Sequence, residues 1–360
     1  MRLPALSITH NIPKRFQRGL VVGKFSPLHK GHEAVIRRAF ELCREVVLIS
    51  YCNPEFSGCE AKCREKWLAE LFPGARRLVV TKEGLAGLLC NSNQPISIPR
   101  NEEPDFVHRR FVGQLCYEGL GITVDAVFTS EVYGDGFAHE LTAYFRERIP
   151  SALEVRHVLV DLDRREFPIS GTAIRSDLEK NRMWLSPIVY ASFVRRVCIL
   201  GGESSGKSTL AEGLARRFGT VHVPEYGREL WERKNGALDF GDLLDIAQTQ
   251  VTREEEACLR ANQFLFCDTA PLTTLFYSSH LFQRAERRLE ELADRHYDLT
   301  VLCAPDFEFV QDGTRQDSNF RERQNRWYVR ELARRGVPWL EVGGSIEQRI
   351  ATVSRCLRAL

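Results

Sequence analysis

The sequence predicts an α/β protein made of two consecutive domains, each built on a mainly parallel sheet. Three observations predict it. Short apolar runs alternate with segments of helical periodicity along the whole chain. A glycine-rich turn, Gly201-Gly202-Glu203-Ser204-Ser205-Gly206-Lys207-Ser208-Thr209, follows the apolar run Val197-Cys198-Ile199-Leu200 and opens a helix, which is the strand, loop, helix order of a phosphate-binding loop. That loop leaves about 196 residues before it and about 160 after it, and each stretch is long enough for a domain of its own.

The loop carries its own chemistry. Gly201, Gly202 and Gly206 let the backbone curl so that amides of Glu203, Ser204 and Ser205 can point at phosphate oxygens, and Lys207 adds a mobile positive charge. Ser208 offers a hydroxyl to Mg²⁺, and Ser208 and Thr209 sit where the positive end of the helix dipole meets the anion. The expectation is a site for ATP phosphates with magnesium.

Composition narrows the partners. Fifty basic and 48 acidic residues give a net charge of +2, a near balance that argues against a broad basic face for nucleic acid. No stretch reads as a membrane span. The leader, residues 1–18, with Pro4 and Pro13 and no apolar core, reads as a loose tail, and a cytoplasmic location is expected. The 11 cysteines lie mostly in apolar runs and read as reduced core thiols. Cys52, Cys59 and Cys63 are close in sequence and leave a metal site open, although no C-x-x-C pair supports it.

From Gly19, a β-rich run leads through a proline-bearing turn into a helix starting near Lys30. His29 and His32 flank Gly31 at the mouth of that helix, so two imidazoles and a helix N-terminus face one point. Further strands are predicted at 46–50, 78–80, 126–130 and 155–160, with a helix from Arg64 to Phe72 stopped by Pro73-Gly74. The stretch 84–104, rich in Asn, Ser, Pro and Gly, reads as a loop or insertion.

Gly23-Lys24-Phe25-Ser26-Pro27-Leu28-His29-Lys30-Gly31-His32 resembles the H-x-G-H signature of the nucleotidylyltransferase superfamily. Ile169-Ser170-Gly171-Thr172-Ala173-Ile174-Arg175 resembles that superfamily's I-S-G-T-x-[IV]-R element. The resemblance implies a Rossmann-like nucleotidylyltransferase domain over 19–192, with Lys24, His29, His32 and Arg175 stabilising charge. It also implies that Gly23, Phe25, Gly31, Ser130, Ser170, Gly171 and Thr172 hold ATP. Arg64 and Trp67 resemble an R-x-x-W element, placing Arg64 near a phosphate and Trp67 near a base, and Glu131 with Ser130 resembles a nucleotide-contacting turn that includes Tyr133.

In the second half, Glu225 follows a predicted strand at 220–223 and is placed to accept a proton from an attacking hydroxyl, with Arg228 three residues on. Asp268 ends the apolar run from Phe264, where a carboxylate contacts Mg²⁺ beside a phosphate-binding loop. The run 239–260 reads as one long helix. The polar stretch 312–317 reads as a lid from which Arg315 closes over the transferring phosphate, with Arg321 and Arg323 behind it.

An H-x-G-H domain followed by Gly202-Glu203-Ser204-Ser205-Gly206-Lys207-Ser208 and Glu225-Tyr226-Gly227-Arg228-Glu229 resembles the NadR family of bifunctional nicotinamide-mononucleotide adenylyltransferases and ribosylnicotinamide kinases, over about residues 19–360. This implies a P-loop kinase domain at 193–360, substrate contacts at Tyr226 and Arg228, and ATP, nicotinamide mononucleotide and ribosylnicotinamide as ligands. The helix-turn-helix module of some members has no room in the first 18 residues. Two alternatives stay open: a coenzyme A pathway adenylyltransferase–kinase fusion, and a nucleotide-sensing regulator with little turnover.

Overall fold

The structure, a computed structural model, describes residues 14–89, 97–131, 133–161, 165–308 and 318–359. By its contacts the chain divides into two compact units, Met1–Tyr190 and Ala191–Leu360.

In the first unit, β1 (Phe16–Gly23), β2 (Cys43–Ser50), β3 (Arg76–Val79), β4 (Ala126–Thr129) and β5 (Arg156–Leu159) form one sheet in the order β3-β2-β1-β4-β5, every pair parallel. Helices α1 (Lys30–Leu42), α2 (Ala61–Leu71), α3 (Lys82–Leu88), α4 (Asp105–Gln114), α5 (Gly134–Arg146), α6 (Gly171–Ser176) and α7 (Pro187–Tyr190) complete it. Val46, Val47, Leu48 and Ile49 are all buried, the continuous apolar run of a strand covered on both faces. The winding reverses between β1 and β4, so a crevice opens at their carboxyl ends, where ligands of such sheets bind.

Strand β1 begins inside the stretch predicted as tail. Phe16 packs edge-on to Phe128, and the amides of Gln17 and Arg18 donate to the Asp125 carboxylate at 2.8 and 2.7 Å, which anchors the strand start. Residues 1–13 lie outside the described residues. The stretch 84–104, expected as a loop, opens inside α3 (Lys82–Leu88), and its residues 90–96 lie outside the described residues; farther on, the Asn53 amide donates to the Asn101 side chain at 3.3 Å and Asn101 Nδ2 donates to the Pro54 carbonyl at 2.9 Å, which ties Asn101 to the chain just past β2.

In the second unit, β6 (Arg195–Gly201), β7 (His222–Val223), β8 (Phe264–Asp268), β9 (Leu299–Cys303) and β10 (Trp339–Val342) lie parallel in the order β10-β9-β6-β8-β7. They are flanked by α8 (Lys207–Phe218), α9 (Tyr226–Arg233), α10 (Phe240–Cys258), α11 (Pro271–Phe282), α12 (Arg287–Ala293), α13 (Ser318–Arg335) and α14 (Ile346–Leu357). Side chains alternate across the central strand. Val197 and Ile199 enter one core with Leu210, Phe266 and Val353, while Cys198 and Leu200 enter the other with Leu275, Tyr328 and Leu332. Arg195 and Arg196 are the first two residues of β6. The long helix α10 starts at a capping box in which Asp239 and Asp242 bond each other's amides.

Cys52 and Cys59 are buried free thiols, and burial pushes the Cys59 thiol up to about 12. Among the described residues, no group of three or more His, Cys, Asp or Glu side chains could hold a metal ion, and no helix is long and apolar enough to cross a membrane.

One fully buried cation braces the phosphate-binding loop from behind. Arg349 of α14 donates to the carbonyls of Ser205 at 2.8 Å, Gly344 at 3.0 Å and Ala304 at 3.2 Å, and pairs with Asp306. Its guanidinium lies 4.2 Å from the centroid of the Phe307 ring. Arg349→Ala strands all of these acceptors, so the second unit is expected to lose about 3 kcal/mol of stability. In a thermal melt this appears as a drop of roughly 6 to 12 °C in that unit's transition; a midpoint within about 2 °C of the parent would show that the brace carries little energy.

Candidate active sites

The first site is built at the sheet's switch point from three loops. His29 is the N-cap of α1, and it and His32 cap reciprocally. His29 Nδ1 accepts from the His32 amide and His32 Nδ1 from the His29 amide, each at 3.4 Å. The rings stack at 3.7 Å, and the Phe25 ring meets His32 edge-on at 5.1 Å. With each Nδ1 serving as an acceptor, the proton of each neutral ring resides on Nε2, which makes both Nε2–H groups donors.

A second loop enters through α6. Ser170 caps it by accepting from the Ala173 amide at 3.2 Å. Arg175 donates to the Ser26 carbonyl and to Thr172 Oγ1, and its guanidinium lies 3.8 Å from the Phe56 ring centroid. The cation therefore ties the I-S-G-T segment to the H-x-G-H loop across 149 residues of sequence. The third loop, after β4, carries Ser130, Glu131 and Tyr133.

These loops enclose a cavity of about 520 Å³, within the range of small-molecule sites. Lys24, Phe25, His29, His32, Ser130, Glu131, Thr172 and Arg175 line it, with Gly23, Gly31, Ser170 and Gly171.

Arg64 and Trp67 do not. Both are fully buried: Arg64 donates to the Cys59 carbonyl at 3.0 Å and Ser50 Oγ at 2.8 Å and pairs with Glu55. The expected phosphate and base contacts give way to a clasp between β2 and α2, because α2 turns this face toward the sheet.

Tyr51, His108 and Asn101 are among the lining residues that sequence reasoning missed. Tyr51 and His108 bond at 3.0 Å between hydroxyl and Nδ1, and burial, then the Lys24 charge, holds His108 below its ordinary value. Asn101, from the stretch 84–104, also lines the cavity, and its carbonyl accepts from Lys24 at 3.4 Å. None of these has a local motif.

The second site surrounds the phosphate-binding loop. Gly206 adopts φ +78° as the N-cap of α8, and a Cβ there would stand 2.7 Å from the Phe307 ring, so glycine is required on both counts. Ser205 Oγ donates to the Gly202 carbonyl at 2.7 Å and Lys207 Nζ to the same oxygen at 3.0 Å. Ser208 and Thr209 are exposed on the first turn of α8.

Glu203 departs from expectation. Its amide donates to Gln324 at 3.0 Å, and its carboxylate accepts from Tyr277 at 2.9 Å and lines a neighbouring cavity of about 470 Å³. This places the Glu203 carboxylate on that cavity and its amide against α13.

That cavity is walled by Trp231, Leu243, Ile246 and Phe282, with Lys207, Glu225, Arg228, Gln250 and Tyr277 among its polar groups. Tyr226 is absent from it. One residue past Glu225 on a helix start, it turns away, accepts from Arg233 at 2.7 Å and lies under the Arg253 guanidinium at 4.5 Å. Burial, then the charge of Asp268, raises Glu225 above the ordinary carboxylate range, against the opposing charges of Lys207 and Arg228.

Asp268 is 3% exposed, and its Oδ1 has no hydrogen-bond partner among the described residues. An orphaned, buried carboxylate oxygen suits a hard cation such as Mg²⁺, and the exposed hydroxyl of Ser208 opens the helix after the phosphate-binding loop, so the chemistry of both residues fits the magnesium expected here. Arg321 packs against Gly202 and donates to the Phe307 carbonyl at 2.8 Å, whereas Arg323 is exposed. The predicted lid at 312–317 with Arg315 lies outside the described residues.

A family model described as an AAA domain matches residues 196–349. The chain is 29% identical over 313 residues to the trifunctional NAD biosynthesis/regulator protein NadR of Escherichia coli (strain K12), covering 82% of this chain and 71% of that protein. It is 28% identical over the same shares to the protein of that name from Salmonella typhimurium (strain LT2). Among solved structures, a NadR protein in complex with NAD and AMP-PNP superimposes with a TM-score of 0.65 at 20% identity, covering 96% of both chains. A NadR protein in complex with NR gives 0.63 at 21% identity, covering 94% of this chain and 95% of that one. The order of the two α/β units is thus that of a known fold.

Proposed function

We propose that this chain, homologous to the NadR proteins over 82% of its length, is an enzyme of NAD biosynthesis with one active site in each unit. The first site transfers the adenylyl group of ATP to nicotinamide mononucleotide, giving NAD and diphosphate. The second phosphorylates ribosylnicotinamide to that mononucleotide. The observation that carries this reading is that each unit has its own phosphate-handling groups on its own cavity: His29, His32 and Arg175 on one, Lys207 and Glu225 on the other.

In the first site, an oxygen of the mononucleotide phosphate attacks the α-phosphorus in line and diphosphate leaves. The two Nε2–H donors, Lys24 and Arg175 stabilise the charge that builds on the transferring group. No side chain needs to act as a nucleophile. In the second, the ribose hydroxyl attacks the γ-phosphorus, the bond to the β,γ-bridging oxygen breaks and ADP leaves, Glu225 accepts the hydroxyl proton, and Lys207 offsets the charge on the phosphates. Magnesium, held by Asp268 and Ser208, would supply further neutralisation of the phosphates.

The deciding assay supplies ATP and Mg²⁺ with nicotinamide mononucleotide, nicotinate mononucleotide, ribosylnicotinamide or phosphopantetheine and identifies the products. NAD and nicotinamide mononucleotide are expected. Dephospho-coenzyme A from phosphopantetheine would move the chain to the coenzyme A pathway, and binding without turnover would make it a sensor.

Glu225→Gln is expected to lower the kinase kcat about 100-fold while leaving the KM for ATP within about threefold. Because burial and Asp268 favour its protonated form, kinase activity falls as pH drops through a value above the ordinary carboxylate range, and that limb vanishes in the Gln variant. An unchanged kcat would shift the base to Asp268 or to no side chain.

A further inference from the structure

The turn that closes one side of the first cavity is gripped at both ends by a single imidazole. His157 of β5 keeps only 7% of its side chain exposed. Its Nδ1 lies 2.8 Å from Asp135 Oδ1, and its Nε2 lies 2.8 Å from Thr129 Oγ1. A carboxylate can only accept, so Nδ1 carries a proton.

Thr129 is the last residue of β4 and Asp135 the second of α5, so the ring bridges the strand end and the helix start. Ser130, Glu131 and Tyr133, which line the cavity, lie between these two anchors. Thr129 Oγ1 extends the grip: it lies 2.8 Å from the Glu131 carbonyl oxygen and accepts from the Glu131 amide at 3.3 Å.

Two neighbours adapt to this arrangement. Gly134 leaves the space that the ring fills, since a Cβ there would stand 2.0 Å from His157 Nε2. Arg109 of α4, paired with Asp105 at 3.0 Å, donates to the Tyr133 carbonyl at 3.3 Å. The Asp135 end is 84% exposed and screened by solvent, so the Thr129 bond is the stronger of the two.

We propose that His157 is a positioning residue for the first active site. By bonding Thr129 and Asp135 at once, it fixes Ser130, Glu131 and Tyr133 beside the His29–His32 loop and so pre-forms the wall that receives the nucleotides. A wall that must be ordered on binding costs affinity, so loss of the grip appears in KM more than in kcat. This rests on the adenylyltransferase reading of that cavity, and the kinase site of the same chain is its internal control.

The test is steady-state kinetics of both reactions on the full chain with His157→Ala, His157→Gln and His157→Asn. His157→Ala is expected to raise the adenylylation KM for ATP or for the mononucleotide roughly tenfold, with kcat within about threefold and kinase constants unchanged. His157→Gln, which reaches the Nε2 position and can bond Thr129, returns KM to within about threefold of the parent, and His157→Asn rescues less.

Adenylylation KM values within about twofold of the parent in His157→Ala would overturn the proposal, as would a loss confined to the active fraction. If His157→Ala fails to fold, equal behaviour of the Gln and Asn variants overturns it. If the parent makes no dinucleotide, the adenylyltransferase reading fails instead. Calorimetric ATP binding at the first site, with Lys207→Ala silencing the second, then decides the positioning role by the same comparison.

Discussion

Replacing Lys207 by alanine is expected to cut phosphorylation of ribosylnicotinamide by about 10²- to 10³-fold or more, the scale for losing a preorganised charge stabiliser. In the structure its ammonium bonds the Gly202 carbonyl at 3.0 Å, a neutral acceptor that a phosphate oxygen outcompetes. The loop does not depend on Lys207 for its shape, since Ser205 bonds Gly202 and Arg349 bonds Ser205 without it. The variant should therefore fold, and dinucleotide formation in the other unit should stay within about twofold. A residual kinase kcat within about tenfold of the parent would mean that this loop does not handle the transferring phosphate.

His32→Ala is expected to lower NAD formation by about 100-fold, with the kinase untouched. Two effects contribute to the loss. The variant removes the Nε2–H donor, and it also removes the acceptor that holds the His29 amide, loosening a helix start at a cost of about 1 kcal/mol. His32→Asn separates them. An asparagine oxygen can stand where Nδ1 stands and restore the cap, yet it puts no donor where Nε2 stood. The melting point should recover and the rate should not. Full recovery of rate in the Asn variant would reduce His32 to a helix cap.

Both glycine-bearing loops were legible because each is local: the groups of each motif lie within ten or so residues and include glycines whose placement has a mechanical reason. Strands such as Val46–Ser50 and Phe264–Asp268 were legible for a similar reason, being apolar runs too short for buried helices. Direction of side chains was not. Arg64, Trp67 and Tyr226 sit near the right motifs, but a helix turns each residue about 100° from the last, and only packing settles which face meets the cavity. The partners of Glu203 were not legible, because Tyr277 and Gln324 stand 74 and 121 residues away. His157, Gln250 and Arg349 escaped notice for the same reason, since single polar residues on ordinary strands and helices carry no pattern of their own.

The Arg349 brace also bears on the order in which the two sites mature on a ribosome. Every group that lines the first cavity has been synthesised by residue 175, whereas the Ser205 carbonyl waits another 144 residues for the guanidinium that holds it. At about 5 to 20 residues per second that wait is roughly 7 to 29 s. An arrested nascent chain exposing the first unit can therefore already possess a finished cavity for adenylyl transfer, while the kinase loop gains its support only as α14 emerges.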